Sequence, residues 1–169
     1  MKSSEPGRWS HVDEAGEASM VDVSPKTPTL RRAKAEGFVR MRTETRRDIE
    51  SGATPKGSVL GVARIAGIQG AKQTSSLIPL CHLLPVEKVR VDFSWVDDAS
   101  TPGGEARLRI EAEVVVTAKT GVEMEALTAV SIAALTVYDM SKGVDPHMVI
   151  ESIRLLEKTG GKRDVKAGA

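Results

Sequence analysis

Between Ala126 and Val137 the chain reads Ala-Leu-Thr-Ala-Val-Ser-Ile-Ala-Ala-Leu-Thr-Val, without one charged side chain. The run lies inside a stretch that follows Gly121 and predicts a long helix from about Val122 to Ser141. A helix on the outside of a small domain needs a polar stripe toward water, and this one has none in its middle. A sheet can cover only one of its faces. The other is therefore expected to meet another subunit.

The sheet is legible in two-residue alternations. Val89, Val91, Phe93 and Trp95 interleave with Lys88, Arg90, Asp92 and Ser94. After a turn at Pro102-Gly103-Gly104, Leu108, Ile110, Ala112, Val114 and Val116 interleave with Arg107, Arg109, Glu111 and Glu113. That pattern is a hairpin with one buried face. From Thr29 to Met41, Ala33, Ala35, Gly37, Val39 and Met41 share a face small enough for a helix to come close, opposite Arg32, Lys34, Glu36 and Arg40. Met148 to Leu156 is short and rich in valine and isoleucine, so it reads as a strand. Thr43 to Glu50 predicts a polar helix ended by Ser51-Gly52, and Gly57 opens a second helical stretch to about Ser75 with Ser58 as cap. Gly61, Gly67 and Gly70 cost that helix stability and imply close contact between helices. The order β-α-α-β-β-α-β fits an α+β ferredoxin-like sandwich, an antiparallel sheet with helices on one face. At 169 residues there is one domain, 21–158, between an N-terminal arm, 1–20, and a glycine- and lysine-rich tail, 159–169.

Composition removes several function classes. A net charge of +1 draws the chain to neither nucleic acid nor membrane, and 3% aromatics leave no stacking surface for single-stranded RNA. Cys81 is the only cysteine, which excludes an intramolecular disulfide. The N-terminus has no apolar core of a signal peptide, and no stretch is apolar enough to span a bilayer. A reducing cytoplasm is the expected compartment.

The candidates for chemistry are few. Asp139 and Lys142 are three residues apart near the end of the bare helix, hence neighbours on its surface. Glu123 and Glu125 stand at its start, where the helix dipole alone is a sufficient reason for carboxylates. Asp139, at the negative end, needs either a task or the Lys142 cation. Glu123 and Asp139 are separated by about 24 Å along a helix at ~1.5 Å per residue, so one small molecule cannot touch both on the same helix. Lys56 and Lys72 have the same spacing. If all four serve one kind of site, each site combines helix ends from different subunits. His82 sits in the Pro79–Pro85 loop beside Cys81; it is either structural or a proton carrier near pH 7. Cys81 lacks an activating context, and His11, His82 and His147 show no metal-ligand spacing. Lys158-Thr-Gly-Gly-Lys162-Arg163 is a weak anion-binding pattern or a solvated tail, and not a Walker loop.

Six segments together resemble the cyclic pyranopterin monophosphate synthase family of molybdenum-cofactor biosynthesis. They are Gly16-Glu-Ala-Ser-Met-Val-Asp-Val-Ser24, Ala63-Arg-Ile-Ala-Gly-Ile-Gln-Gly-Ala-Lys72, Leu77-Ile-Pro-Leu-Cys-His82, Lys119-Thr-Gly-Val-Glu-Met-Glu-Ala-Leu-Thr128, Ala133-Ala-Leu-Thr-Val-Tyr-Asp-Met140 and Arg154-Leu-Leu-Glu-Lys-Thr-Gly-Gly-Lys162. The resemblance implies a ferredoxin-like subunit in a homo-hexamer, a trimer of dimers, with active sites at the dimer interface. It implies a lyase that converts 3′,8-cyclo-7,8-dihydro-GTP, supplied by a radical GTP cyclase, into cyclic pyranopterin monophosphate and diphosphate. The family's catalytic aspartate matches Asp139, and its essential lysines match Lys56 and Lys142. Its substrate-binding segments match Leu80, Cys81 and His82, and Met124 and Glu125 beside Glu123; Lys72 and Lys158 fall where family lysines approach the substrate. Ser19 departs from relatives that carry histidine there.

Such a reaction is redox-neutral and requires no cofactor, although a triphosphate can carry Mg²⁺ with it. Asp139, with His82, would move protons; Lys56 or Lys142 would do so if crowding and burial lowered its pKa; Lys72 and Lys158 would neutralise the leaving diphosphate. The rival class is a non-catalytic nucleotide-binding regulatory module on the same fold. An RNA-binding sheet ranks last, for want of paired stacking aromatics on the strands.

Overall fold

The computed structural model describes residues 11–12, 15–52, 57–96 and 105–167. In chain order the elements are β1 (Thr29–Arg42), α1 (Thr43–Ser51), α2 (Val59–Lys72), α3 (Thr74–Leu77), β2 (Lys88–Val96), β3 (Glu105–Ala118), α4 (Glu123–Ser141), β4 (Val149–Thr159) and β5 (Val165–Lys166). The strands form one sheet in the order β2-β3-β1-β4-β5, with antiparallel neighbours throughout. With α2 and α4 layered on one face, this is the α+β, ferredoxin-like arrangement that the alternations predict. The turn expected at Pro102-Gly103-Gly104 lies outside the described residues.

The apolar rows of β1 and β3 are buried, whereas on β2 Val91 is buried and Val89, Phe93 and Trp95 are half-buried. Leu108, Ile110, Ala112, Val114 and Val116 of β3 are 0% exposed, as are Ala33, Ala35 and Val39 of β1. Each branched side chain so removed from water contributes about 1.5–3 kcal/mol. The inner side of α4, Ala126, Ala129, Val130, Ala133, Ala134 and Val137, closes over them. Small residues set the spacing within the helix layer. A Cβ on Gly67 would lie 2.9 Å from the Ala129 carbonyl oxygen, and one on Gly70 would lie 2.8 Å from Ile132. Gly61 differs from the expectation for the three glycines: a Cβ there would meet Ser58, whose Oγ accepts from the Gly61 amide at 3.1 Å as the cap of α2.

The outer side of α4 carries Met124, Leu127, Ser131 and Leu135, and Leu135 is 54% exposed. The Ser131 and Thr136 hydroxyls donate back to the Leu127 and Ile132 carbonyls of their own helix, so they do not supply the missing wet stripe. On neighbouring α2, Ile65 and Val62 are also exposed. The far side of the sheet is not purely solvated. Glu36 is buried between Arg109 and Arg154, at 2.7 and 2.8 Å, and Arg107 stands 3.8 Å over the Phe38 ring.

α1 begins without a side-chain cap of its own. The buried Asp145 carboxylate fills that role, accepting from the Arg42 amide at 2.8 Å and the Thr45 hydroxyl at 3.0 Å. Burial pushes its pKa up, but those hydrogen bonds and the Arg42 charge outweigh burial and hold it below the ordinary value. Past β4, the residues expected as a polar tail turn back, and Val165 and Lys166 pair with Lys158 and Glu157.

Candidate functional site

Sheet register decides what can meet. Lys88 at the start of β2 pairs with Val115 near the end of β3, and Thr29 at the start of β1 pairs with Ala118. Lys158 near the end of β4 pairs with Ala33 of β1. Four segments therefore gather at one end of the sheet: the chain before β1, the loop before β2, the β3–α4 turn and the close of β4. Pro79 and Pro85 keep the loop before β2 out of regular structure.

A cleft of about 260 Å³ lies at this end, lined by His11, Leu80, Cys81, His82, Leu84, Thr120, Gly121, Glu123, Met124 and Glu125. Of the residues singled out in the sequence, Leu80, Cys81, His82, Glu123, Met124 and Glu125 come together here. Lys158 joins them at the edge, its Nζ 2.8 Å from Glu123 Oε1. His82 Nε2 lies 2.9 Å from the Val21 carbonyl oxygen. A carbonyl only accepts, so Nε2 donates, and in the neutral ring Nδ1 is left as the acceptor.

Glu125 is only 4% exposed. Burial is the main cause that pushes its pKa from 4.5 to about 7; the Glu125 backbone amide opposes this and the neighbouring Glu123 adds to it. The Cys81 thiol is pushed up, by burial first and then by Glu125. The cleft thus holds a carboxyl poised to exchange a proton near neutrality, two imidazoles, and an acid–ammonium pair at its edge.

Asp139, Lys142 and Lys72 are elsewhere. Asp139 and Lys142 sit at the far end of α4, paired at 2.7 Å with side chains 66% and 55% exposed. Asp139 raises the Lys142 pKa, through the hydrogen bond first and its charge second, opposite to the lowering considered from sequence. Lys72, the last residue of α2, is exposed and does not line the cleft. Lys56 lies outside the described residues. One continuous helix of 19 residues joins the two ends, so the cleft and the Asp139–Lys142 pair are about 24 Å apart along its axis.

Four lining residues were missed from sequence. Thr120 and Gly121 belong to a quoted motif without having been assigned a role, and a Cβ on Gly121 would overlap a Glu123 carboxylate oxygen, so glycine there leaves room for the acid. Leu84 is one apolar residue in an apolar loop. His11 is remote in sequence from every other wall residue, and only the fold brings it in.

Comparison with known proteins places the whole chain rather than single residues. A 56% identical relative from Syntrophomonas wolfei subsp. wolfei, named cyclic pyranopterin monophosphate synthase, matches over 91% of this chain and 94% of its own. Proteins of the same name from Methylobacterium sp. (59% identical; 90% of this chain, 91% of the relative) and Nostoc sp. (57%; 90% and 87%) match equally broadly. The model of the MoaC family matches residues 20–161, which take in α4, the Lys158 edge and every cleft residue except His11. The chain belongs to the MoaC family.

Proposed function

We propose that this chain is a cyclic pyranopterin monophosphate synthase. It would convert 3′,8-cyclo-7,8-dihydro-GTP to cyclic pyranopterin monophosphate and diphosphate, at sites that two copies complete together. The observation that carries the shared site is the separation of cleft and Asp139–Lys142 pair on one rigid helix, when both halves match the family's site. The apolar outer residues of α2 and α4, Val62, Ile65 and Leu135, favour a second copy over water on that side. The reading extends to a homo-hexamer built as a trimer of dimers, working in the cytoplasm on a substrate made by a radical GTP cyclase.

In this scheme a substrate hydroxyl oxygen attacks the α-phosphorus, the bond to the bridging oxygen of the β-phosphate breaks, and diphosphate leaves. Asp139 takes up and returns protons as the purine-derived ring is rebuilt, with His82 Nδ1 and the Glu125 carboxyl as partners from the cleft. Lys142, held as an ammonium by Asp139, supplies positive charge; Lys56 is the lysine left to act in proton transfer. Lys72 and Lys158 offset the charge that develops on the leaving group. The chemistry is redox-neutral and needs no resident cofactor, and Mg²⁺ would arrive with the triphosphate.

The regulatory-module reading explains the cations and glycines but not a carboxyl poised near neutrality. Incubating the chain with the cyclised GTP substrate and weighing the products separates the two. The expected result is equimolar cyclic phosphate and diphosphate. Substrate bound but recovered unchanged would favour the module.

A further inference from the structure

The cleft wall includes one polar residue that no quoted motif supplied. His11 reaches it from the N-terminal arm, more than sixty positions before the nearest other lining residue. Its placement rests on a series of ties. The His11 carbonyl accepts from the Ser19 amide at 3.0 Å, and Val12 bridges to Ala18. The Val21 carbonyl then accepts from His82, and the Ser24 carbonyl accepts from Lys119 Nζ at 2.8 Å. His82 is a wall residue, and Lys119 directly precedes the wall residues Thr120 and Gly121. Ordering backbone costs about 1–2 kcal/mol per residue, and here two of the ties that offset it join the arm to His82 and Lys119 at the cleft. The tie from Ser19 uses the His11 carbonyl and leaves its imidazole at the wall, on a residue that is itself exposed.

The rest of the wall explains what an imidazole adds. Two of its groups are carboxyls, and the Lys158 ammonium is already matched to Glu123. The Nε2 proton of His82 is held by Val21. An anionic substrate entering here meets acids and few unengaged donors. We infer that His11 is a further substrate-contacting residue, donating a hydrogen bond from its ring to an oxygen of the nucleotide-derived substrate. This rests on the proposed synthase reading and deepens it.

The test uses the full chain in four forms: unaltered, His11→Ala, His11→Gln, and Ser19→Pro, which deletes the amide that holds the His11 carbonyl. Steady-state kinetics are read beside calorimetric binding of GTP. His11→Ala is expected to raise KM and weaken GTP binding by about tenfold, the worth of one hydrogen bond to a charged group, with kcat changed less than about threefold. His11→Gln, which keeps a donor, should recover most of the loss, and Ser19→Pro should reproduce it with an unchanged melting temperature. Unchanged KM and GTP affinity in His11→Ala would overturn the inference, and so would a lowered melting temperature with kcat and KM falling together. If the unaltered chain makes no cyclic phosphate, it is the synthase reading that fails. The GTP arm still decides on His11.

Discussion

Asp139→Asn is expected to lower formation of the cyclic phosphate by about 10²–10⁴-fold, the usual worth of a positioned acid–base group. The same change should leave the melting temperature where it was. The Asp139 side chain is 66% exposed and its partner Lys142 is 55% exposed, and ion pairs so placed contribute little to folding in water. Asparagine keeps the shape and a hydrogen-bond acceptor while removing the basic oxygen. Kinetics and a thermal melt on the same preparation check both halves. Turnover at the unaltered rate would remove Asp139 from the mechanism, whereas lost turnover with a collapsed melt would assign it a structural task.

Glu125→Gln is expected to raise stability strongly, by an amount that grows with pH. Burial first, and then Glu123, raises the Glu125 pKa from 4.5 to about 7. Between those values the folded chain keeps a proton that the unfolded chain has released. Stability therefore falls as pH rises through the window, by about 3 kcal/mol once pH is above 7, and nothing is lost below 4.5. Glutamine is neutral throughout and avoids the penalty. The variant should match the unaltered chain near pH 4.5 and melt about 6–12 °C higher at pH 8. Equal melting temperatures at pH 8 would mean that the carboxyl ionises freely in the fold.

Much of the scaffold was legible because short-range periodicity encodes it. Val89 to Trp95 and Leu108 to Val116 alternate because one face packs against the helices. Gly67 and Gly70 gave away the close approach of the helices. Other features depend on residues far apart in sequence, which no local pattern can announce. Asp145 caps a helix that starts 102 residues earlier. Glu36 is buried on the side assigned to water because Arg109 and Arg154, from two other strands, close over it.

The candidate site shows the same division. Spacing alone excluded a single-helix site for Glu123 and Asp139, and the continuous α4 agrees. That Leu80 to His82 would face Glu123 to Glu125 came from family resemblance. The physical reason is the antiparallel register that sets the start of β2 beside the end of β3. The spacing of His11, His82 and His147 speaks only to a metal site and is uninformative about a residue that an arm carries to the cleft.

Shared construction of the site is the claim on which the mechanism depends, and subunit mixing tests it most directly. Glu123→Ala, defective in the cleft, and Asp139→Asn, defective at the far end of α4, are each expected to be nearly inactive alone. After exchange of subunits at equal amounts, half of the pairs are mixed and each mixed pair regains one sound site of two. Activity should then return to about one quarter of the unaltered level. No recovery, with exchange demonstrated by mass spectrometry of labelled chains, would contradict sites built from two copies.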